Sequence, residues 1–229
     1  MSQAAGIYIT TRGELHARLD GPSASSQPPL LMLHPLPHSG AFFDHITALI
    51  APNRRVLRPD YPGFGDSPPL PQQPTIEAYG EILTALLDTL GIDGPVDVVG
   101  FHTGCLVAVE MALQMPNRLR RLHLVDIPYF AAEKREAMMV KIAANPDYDA
   151  TAVAGFQAAM DYDVQNKFAQ CRHSCLCIAT GSALAEATVL AASDLPVARL
   201  GECPHIAAPA MENGAEELAQ AFAEFSAEP

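Results

Sequence analysis

Apolar positions along the chain switch repeatedly between two periods. Residues 7–19 alternate about the turn Thr11-Arg12-Gly13 and predict two short strands. A polar loop rich in Pro and Ser follows (residues 21–29), then an apolar run, Leu30–Leu33, of the length of a buried strand, ending in His34-Pro35. Residues 41–50 place Phe42, Ile46, Leu49 and Ile50 at helical spacing, and residues 55–57 predict another strand. From Thr75, a candidate N-cap, the residues Ile76, Tyr79, Leu83, Leu86, Leu87 and Leu90 make one helical face that Gly91 ends. The pattern then predicts a strand at 96–99, a helix at Thr103–Gln114, a strand at 122–125, a helical stretch at 129–170 and a strand at 175–179. It closes with an Ala-rich helix at 183–192, a strand at 197–200 and an amphipathic helix at 212–225. Strands alternating with helices predict an α/β fold, a three-layer α/β/α sandwich on a mostly parallel sheet, with the opening pair as its antiparallel edge. The stretch 129–170 interrupts the alternation and is expected to form a short helical lid within a single domain.

Composition narrows the classes of function. The chain has 229 residues, 14 of them basic and 26 acidic, for a net charge of −12. No general basic surface is available for a phosphate backbone, which excludes nucleic acid as an expected partner. Hydrophobic residues make up 49% and charged ones 17%, enough for a sizeable core. No apolar run reaches the roughly 18 residues of a spanning helix, and the start has no basic segment followed by an apolar block, so neither membrane insertion nor a leader is expected. Five cysteines, an odd number, fit a reducing cytoplasm better than a disulfide framework.

The sharpest local signal is the apolar run 96–99 leading through Gly100-Phe101-His102-Thr103-Gly104 directly into a helix. Glycines two residues either side of His102 permit a sharp reversal from strand to helix, which holds the middle residue at positive φ and thrusts its side chain out at the sheet's C-terminal edge. The next amide, of Thr103, sits at a helix N-terminus, where negative charge is favoured.

This segment resembles the nucleophile elbow, Gly-x-Ser-x-Gly, of the α/β-hydrolase fold superfamily. Three further segments resemble that family in the same order. Leu31-Met-Leu-His-Pro-Leu-Pro-His38 is similar to the loop carrying half of the oxyanion hole. Arg58-Pro-Asp-Tyr-Pro-Gly-Phe-Gly-Asp-Ser67 is similar to its Asp-x-x-Gly-x-Gly-x-Ser segment, and Cys203-Pro-His-Ile-Ala-Ala-Pro209 to the segment bearing the catalytic histidine. The departure is at the centre: His102 stands where the family usually has Ser, less often Asp or Cys. Histidine is among the non-glycine types enriched at positive φ, so the geometry can survive the exchange.

The resemblance implies roles for particular residues. His205 matches the general base. No carboxylate follows the strand at 175–179, where most of the superfamily carries its acid, and Asp126, after the preceding strand, is the candidate that would orient His205 or a neighbouring histidine. The backbone N–H groups of Leu36 and Thr103 match the oxyanion donors. His102 itself has three readings: a nucleophile, since a neutral imidazole is competent near pH 7; a general acid/base paired with His205; or a non-catalytic residue of a degenerate elbow. His34 and His38, in the loop facing the elbow, and Tyr129 and Phe130, nearest the strand end, are expected pocket residues. Four histidines about one pocket raise zinc, but their spacings match no metal motif, and Cys175 and Cys177 alternate within a strand expected to be buried. No metal and no cofactor are expected. The functional expectation is a cofactor-free hydrolase of a small ester-like substrate. The alternatives are a small-molecule binding protein on a hydrolase scaffold and a cofactor-free lyase using His102 and His205. The expected partner is a small molecule, with a homodimer left open.

Overall fold

The computed structural model describes residues 4–228; residues 1–3, within the stretch read for a leader, and residue 229 lie outside the described residues. The strands are β1 (Ala4–Thr10), β2 (Gly13–Asp20), β3 (Leu30–Leu33), β4 (Val56–Pro59), β5 (Val96–Phe101), β6 (Leu119–Val125), β7 (Ser174–Thr180) and β8 (Ala198–Cys203). They form one sheet in the order β1-β2-β4-β3-β5-β6-β7-β8. β1 and β2 pair antiparallel, as do β2 and β4, and every later pair is parallel. The fold is thus the expected α/β sandwich with an antiparallel edge.

The central strands are short and apolar because both faces are covered. Alternate residues feed two separate cores. Leu31, Leu33, Val96, Val98, Leu122 and Leu124 pack on one face, beneath α2 (Ile76–Thr89), α3 (Thr103–Gln114), α6 (Val164–Gln170) and α7 (Ala185–Asp194). Leu30, Met32, Val99, Phe101, Val125 and Ile178 pack on the other, against α1 (Asp44–Ile50), α8 (Ala210–Asn213) and α9 (Ala215–Ala227). Thr75 caps α2 as expected, its side chain accepting from the Ala78 amide at 3.0 Å, and Gly91 follows the helix at φ 63°. The closing helix differs from its expected form: it breaks at Gly214, where a Cβ would lie 2.6 Å from the Ile206 side chain.

Between β6 and β7 the chain forms α4 (Ala132–Ala143), α5 (Ala150–Asp161) and α6. α6 packs on α3 and α7, whereas α4 packs on α5 and buries none of its residues. Glu110 of α3 joins this region to the elbow helix, accepting from Tyr162 Oη at 2.9 Å and from Lys167 Nζ at 2.7 Å. Among the described residues no helix is long and apolar enough to cross a membrane.

Candidate active site

The site grows from the tips of two adjacent parallel strands. Phe101 of β5 sits opposite Val125 of β6, so the next residues, His102 and Asp126, leave the sheet side by side. Both are in the left-handed region, at φ 48° and 53°, and no other non-glycine residue among those described is. Such strain persists where surrounding structure over-determines it, and it gathers at functional sites. Here the surroundings are explicit. The His102 amide donates to Val125 O at 3.1 Å and the Asp126 amide to Ile178 O at 3.0 Å. A Cβ on Gly100 would lie 2.5 Å from Gly104 O, and one on Gly104 would lie 2.0 Å from Leu33 O. The two glycines therefore let α3 start directly against the ends of β5 and β3.

His102 keeps part of its ring exposed and stacks it on Phe101, centroids 4.3 Å apart. Desolvation pushes its pKa down to about 4, against the pull of Asp126 and with a further push from His38, so the ring is neutral near pH 7. Asp126 is fully buried; its carboxylate accepts from the Thr180 amide at 2.9 Å and from Thr180 Oγ1 at 2.6 Å.

Two amides near this end of the sheet have no acceptor among the described residues. Thr103 is the first residue of α3, and a helix's first amides have no intrahelical acceptor. The Leu36 amide, three residues beyond the β3 end on which Gly104 packs, has no acceptor among the described residues. The loop bearing it is held by His34, whose Nδ1 donates to Pro35 O and whose Nε2 accepts from the Tyr61 amide, both at 3.0 Å. With both nitrogens engaged and the ring fully buried, His34 is a brace of the loop and not the pocket residue expected; burial lowers its pKa to about 4. The Asp60 loop is locked similarly. Asp60 accepts from the amides of Gly40 (2.7 Å) and Asp66 (3.0 Å), pairs with Arg18 at 2.9 Å and lies 2.8 Å from His16 Nδ1. His16, Asp60 and Asp66 also bring possible metal-ligand atoms within 4.8 Å of one another, yet Asp60 is already engaged by these donors.

His205 departs from its expected place. The backbone of its loop does reach the sheet edge, Gly181 N donating to Ile206 O at 2.9 Å. The ring, however, is turned outward, 64% exposed, with Nε2 2.7 Å from Glu217 of α9. The pull is electrostatic: the imidazole holds the Glu217 carboxyl below its ordinary range. No contact joins His102 and His205 among the described residues, and the imidazole whose charge would oppose that of His102 is His38. Tyr129 and Phe130 also depart. Both are buried; Tyr129 directs its hydroxyl to Asp194 and packs on Phe168, and Phe130 lies under the Lys134 ammonium. The recess beside the Leu36 loop, of about 300 Å³, is lined instead by Pro37, Phe64, Asp147, Asp149 and Thr151 among others. Pro37 and Phe64 belong to the two loop segments that resemble the family, whereas Asp147, Asp149 and Thr151 carry no local pattern, since the fold alone brings the start of α5 over the loop. Cys175 and Cys177 are buried thiols, as their strand led one to expect, and Cys105 and Cys171 are buried as well.

A family model described as the alpha/beta hydrolase fold matches residues 28–227. The chain belongs to the α/β-hydrolase fold family. Among relatives in this family, the lipase LipV of Mycobacterium tuberculosis is 34% identical over 137 residues, which is 59% of this chain and 50% of that one. The pimeloyl-[acyl-carrier protein] methyl ester esterase of Vibrio campbellii is 34% identical over 110 residues, 47% of this chain and 40% of that protein. The matched segments thus span half or less of these relatives' length. Among solved α/β-hydrolase structures, the enol-lactonase of Burkholderia xenovorans superposes with a TM-score of 0.81 at 20% identity over 97% of this chain and 100% of that one. A thermophilic esterase from Thermogutta terrifontis gives 0.77 at 20% identity, covering 97% of each chain. At such identity these structures speak to the fold alone.

Proposed function

We propose that the protein hydrolyses small ester-like bonds without a cofactor, with His102 as its nucleophile. One observation carries the reading: a half-buried, neutral imidazole stands at the apex of the elbow, next in the chain to the Thr103 amide that opens α3 without an intrahelical acceptor. The pKa near 4 chooses between the imidazole's roles. A general base so weak has little proton affinity at neutral pH, whereas a nucleophile needs only a free lone pair. A ring nitrogen of His102 adds to the carbonyl carbon, and the resulting oxyanion is held by the Leu36 and Thr103 amides, a donor of this kind typically supplying about 3 kcal/mol in acyl transfer. The carbon–oxygen bond to the alcohol then breaks, the alkoxide takes up the proton displaced from the ring, and an acyl-imidazole remains for water to hydrolyse. The names of the lipase and esterase relatives support acyl transfer as the reaction class.

The test is a panel of p-nitrophenyl esters. Wild type is expected to turn over short-chain members, His102→Ala to lose at least a hundredfold, and His102→Ser to do no better, because the usual base, His205, is engaged by Glu217. A second reading, a small-molecule binding protein, draws on that same displacement of His205. Saturable ligand binding with no turnover of any ester would establish it and end the first.

A further inference from the structure

We propose that His38 is the general base of the second half-reaction, taking a proton from the water that attacks the acyl group on His102. The inference rests on the nucleophile reading above and assigns the step that reading leaves without a base.

Hydrolysis of an acyl-imidazole at an elbow needs a group that can reach both the attacking water and the departing ring nitrogen. The usual occupant of that role, His205, is paired with Glu217 on the flank of α9. Asp126 is fully buried with both carboxylate oxygens accepting from Thr180, and both nitrogens of His34 are committed to backbone. His38 differs on each count. It is exposed, and among the described residues its ring nitrogens have no hydrogen-bond partner. It lies two residues beyond Leu36 in the loop that supplies an oxyanion donor, with its amide donating to Pro35 O at 3.0 Å so that the loop curls back on itself. Its ring sits on the aromatic pair that also carries His102: His38 to Phe42 is 5.2 Å, Phe42 to Phe101 is 5.0 Å and Phe101 to His102 is 4.3 Å between centroids. Phe42 and Phe101 thus link the two imidazoles through a continuous run of ring contacts, and a proton on His38 would oppose one on His102. Partial desolvation lowers His38 from the ordinary histidine value, which leaves it neutral at pH 7 and able to accept a proton.

The step balances within the site. The water oxygen bonds to the acyl carbon and its proton passes to His38. The tetrahedral intermediate, its oxyanion on the Leu36 and Thr103 amides, then collapses by breaking the bond from carbon to the His102 nitrogen. His38 returns the proton to that nitrogen. The carboxylic acid departs, and both imidazoles are neutral again.

Stopped-flow release of p-nitrophenol from p-nitrophenyl acetate separates the two halves, using the full chain as wild type, His38→Ala and His38→Gln. Because the residue is exposed, both variants are expected to fold, which thermal melting checks. The expected result is an unchanged burst of one equivalent, with steady turnover about a hundredfold slower and an acetyl adduct on His102 accumulating by intact mass and peptide mapping. Added imidazole is expected to restore turnover to His38→Ala beyond its own hydrolysis of the ester, measured without enzyme, and to leave wild type unchanged, which a merely structural role would not allow. Steady turnover at the wild-type rate in both variants, with the burst present, overturns the role of His38 and leaves the nucleophile intact. Absence of burst and adduct in wild type and variants alike overturns the nucleophile reading itself, and this inference with it.

Discussion

At the scale of single residues, what distinguishes this chain is an imidazole placed where the backbone is strained and water is partly excluded. Asp126 favours the charged ring, while burial and His38 oppose it, and burial wins. The consequence for acylation has a definite sign. The neutral form attacks, so the rate should stay level from pH 8 to about 5 and halve only near 4, where the ring takes its proton. A histidine of ordinary pKa would already be half inactivated near pH 6.5. The measurement is the burst rate with p-nitrophenyl acetate after a rapid pH jump, finished before the fold responds to acid. A midpoint near 6.5 would place the reacting ring in water instead of in this site.

At the scale of elements, the elbow is a packing contact between helix and strand before it is a catalytic device. Gly104 brings the first turn of α3 onto the end of β3, with a Cβ there falling 2.0 Å from Leu33 O. Because that neighbour is backbone, it cannot rotate aside, so Gly104→Ala must push α3 outward. The expected cost exceeds about 3 kcal/mol in the urea midpoint and removes the burst, whereas Gly94→Ala, whose Cβ meets nothing within 4 Å, stays within about 0.5 kcal/mol. This contact was legible in the chain because only glycine at both flanks permits it, and the same holds for the Thr75 cap and the alternating apolar runs, which are local rules. The outward turn of His205 was not legible. Its loop reaches the sheet edge through Gly181, but the ring's choice of Glu217 depends on where α9, packed with α1 and α8, carries that carboxylate, which no local pattern encodes. Likewise, Tyr129 read as a pocket wall because it follows a strand end, while its hydroxyl is drawn to Asp194 at the far end of α7. His38 is expected at the pocket from its loop alone, while its relation to His102 runs through the rings of Phe42 and Phe101, which no local pattern encodes.

At the scale of the whole molecule, the buried ionisable groups divide into two sets that respond to acid in different windows. Asp60 and Asp97 are carboxylates held below their ordinary range by the donors around them, Asp97 by Arg54 and Arg120 in a network that also fastens Ser226 of α9. Their stabilisation is present above the unfolded carboxylate value and is lost only as pH falls below about 4, through their lowered folded values. The second set is His34, His102 and His123, lowered by burial to about 4, 4 and 3. Unfolded, each takes up a proton near pH 6.5; folded, each stays neutral until far lower pH. The unfolded state therefore binds more protons throughout the window from about 6.5 to 4, and stability falls as pH falls there, each such group contributing at most about 1.4 kcal/mol per pH unit. His173, whose pKa is raised, works in the opposite direction, so the total slope mixes signs. A single substitution isolates one contribution. His123 is wedged between the rings of Phe222 and Phe225, at 5.1 and 5.2 Å, with one nitrogen near Ser226 Oγ and the other buried without a partner. His123→Leu comes close to the volume of the ring and removes the proton site, so its cost at pH 7 should be modest. Urea unfolding at pH 7, 6, 5.5 and 5 should then show the variant losing stability more slowly than wild type, by about 1 kcal/mol per pH unit, so that its midpoint overtakes the wild-type midpoint in mild acid. Parallel curves for the two proteins would mean that His123 is protonated inside the folded sheet, and that α9 yields around it before the molecule unfolds.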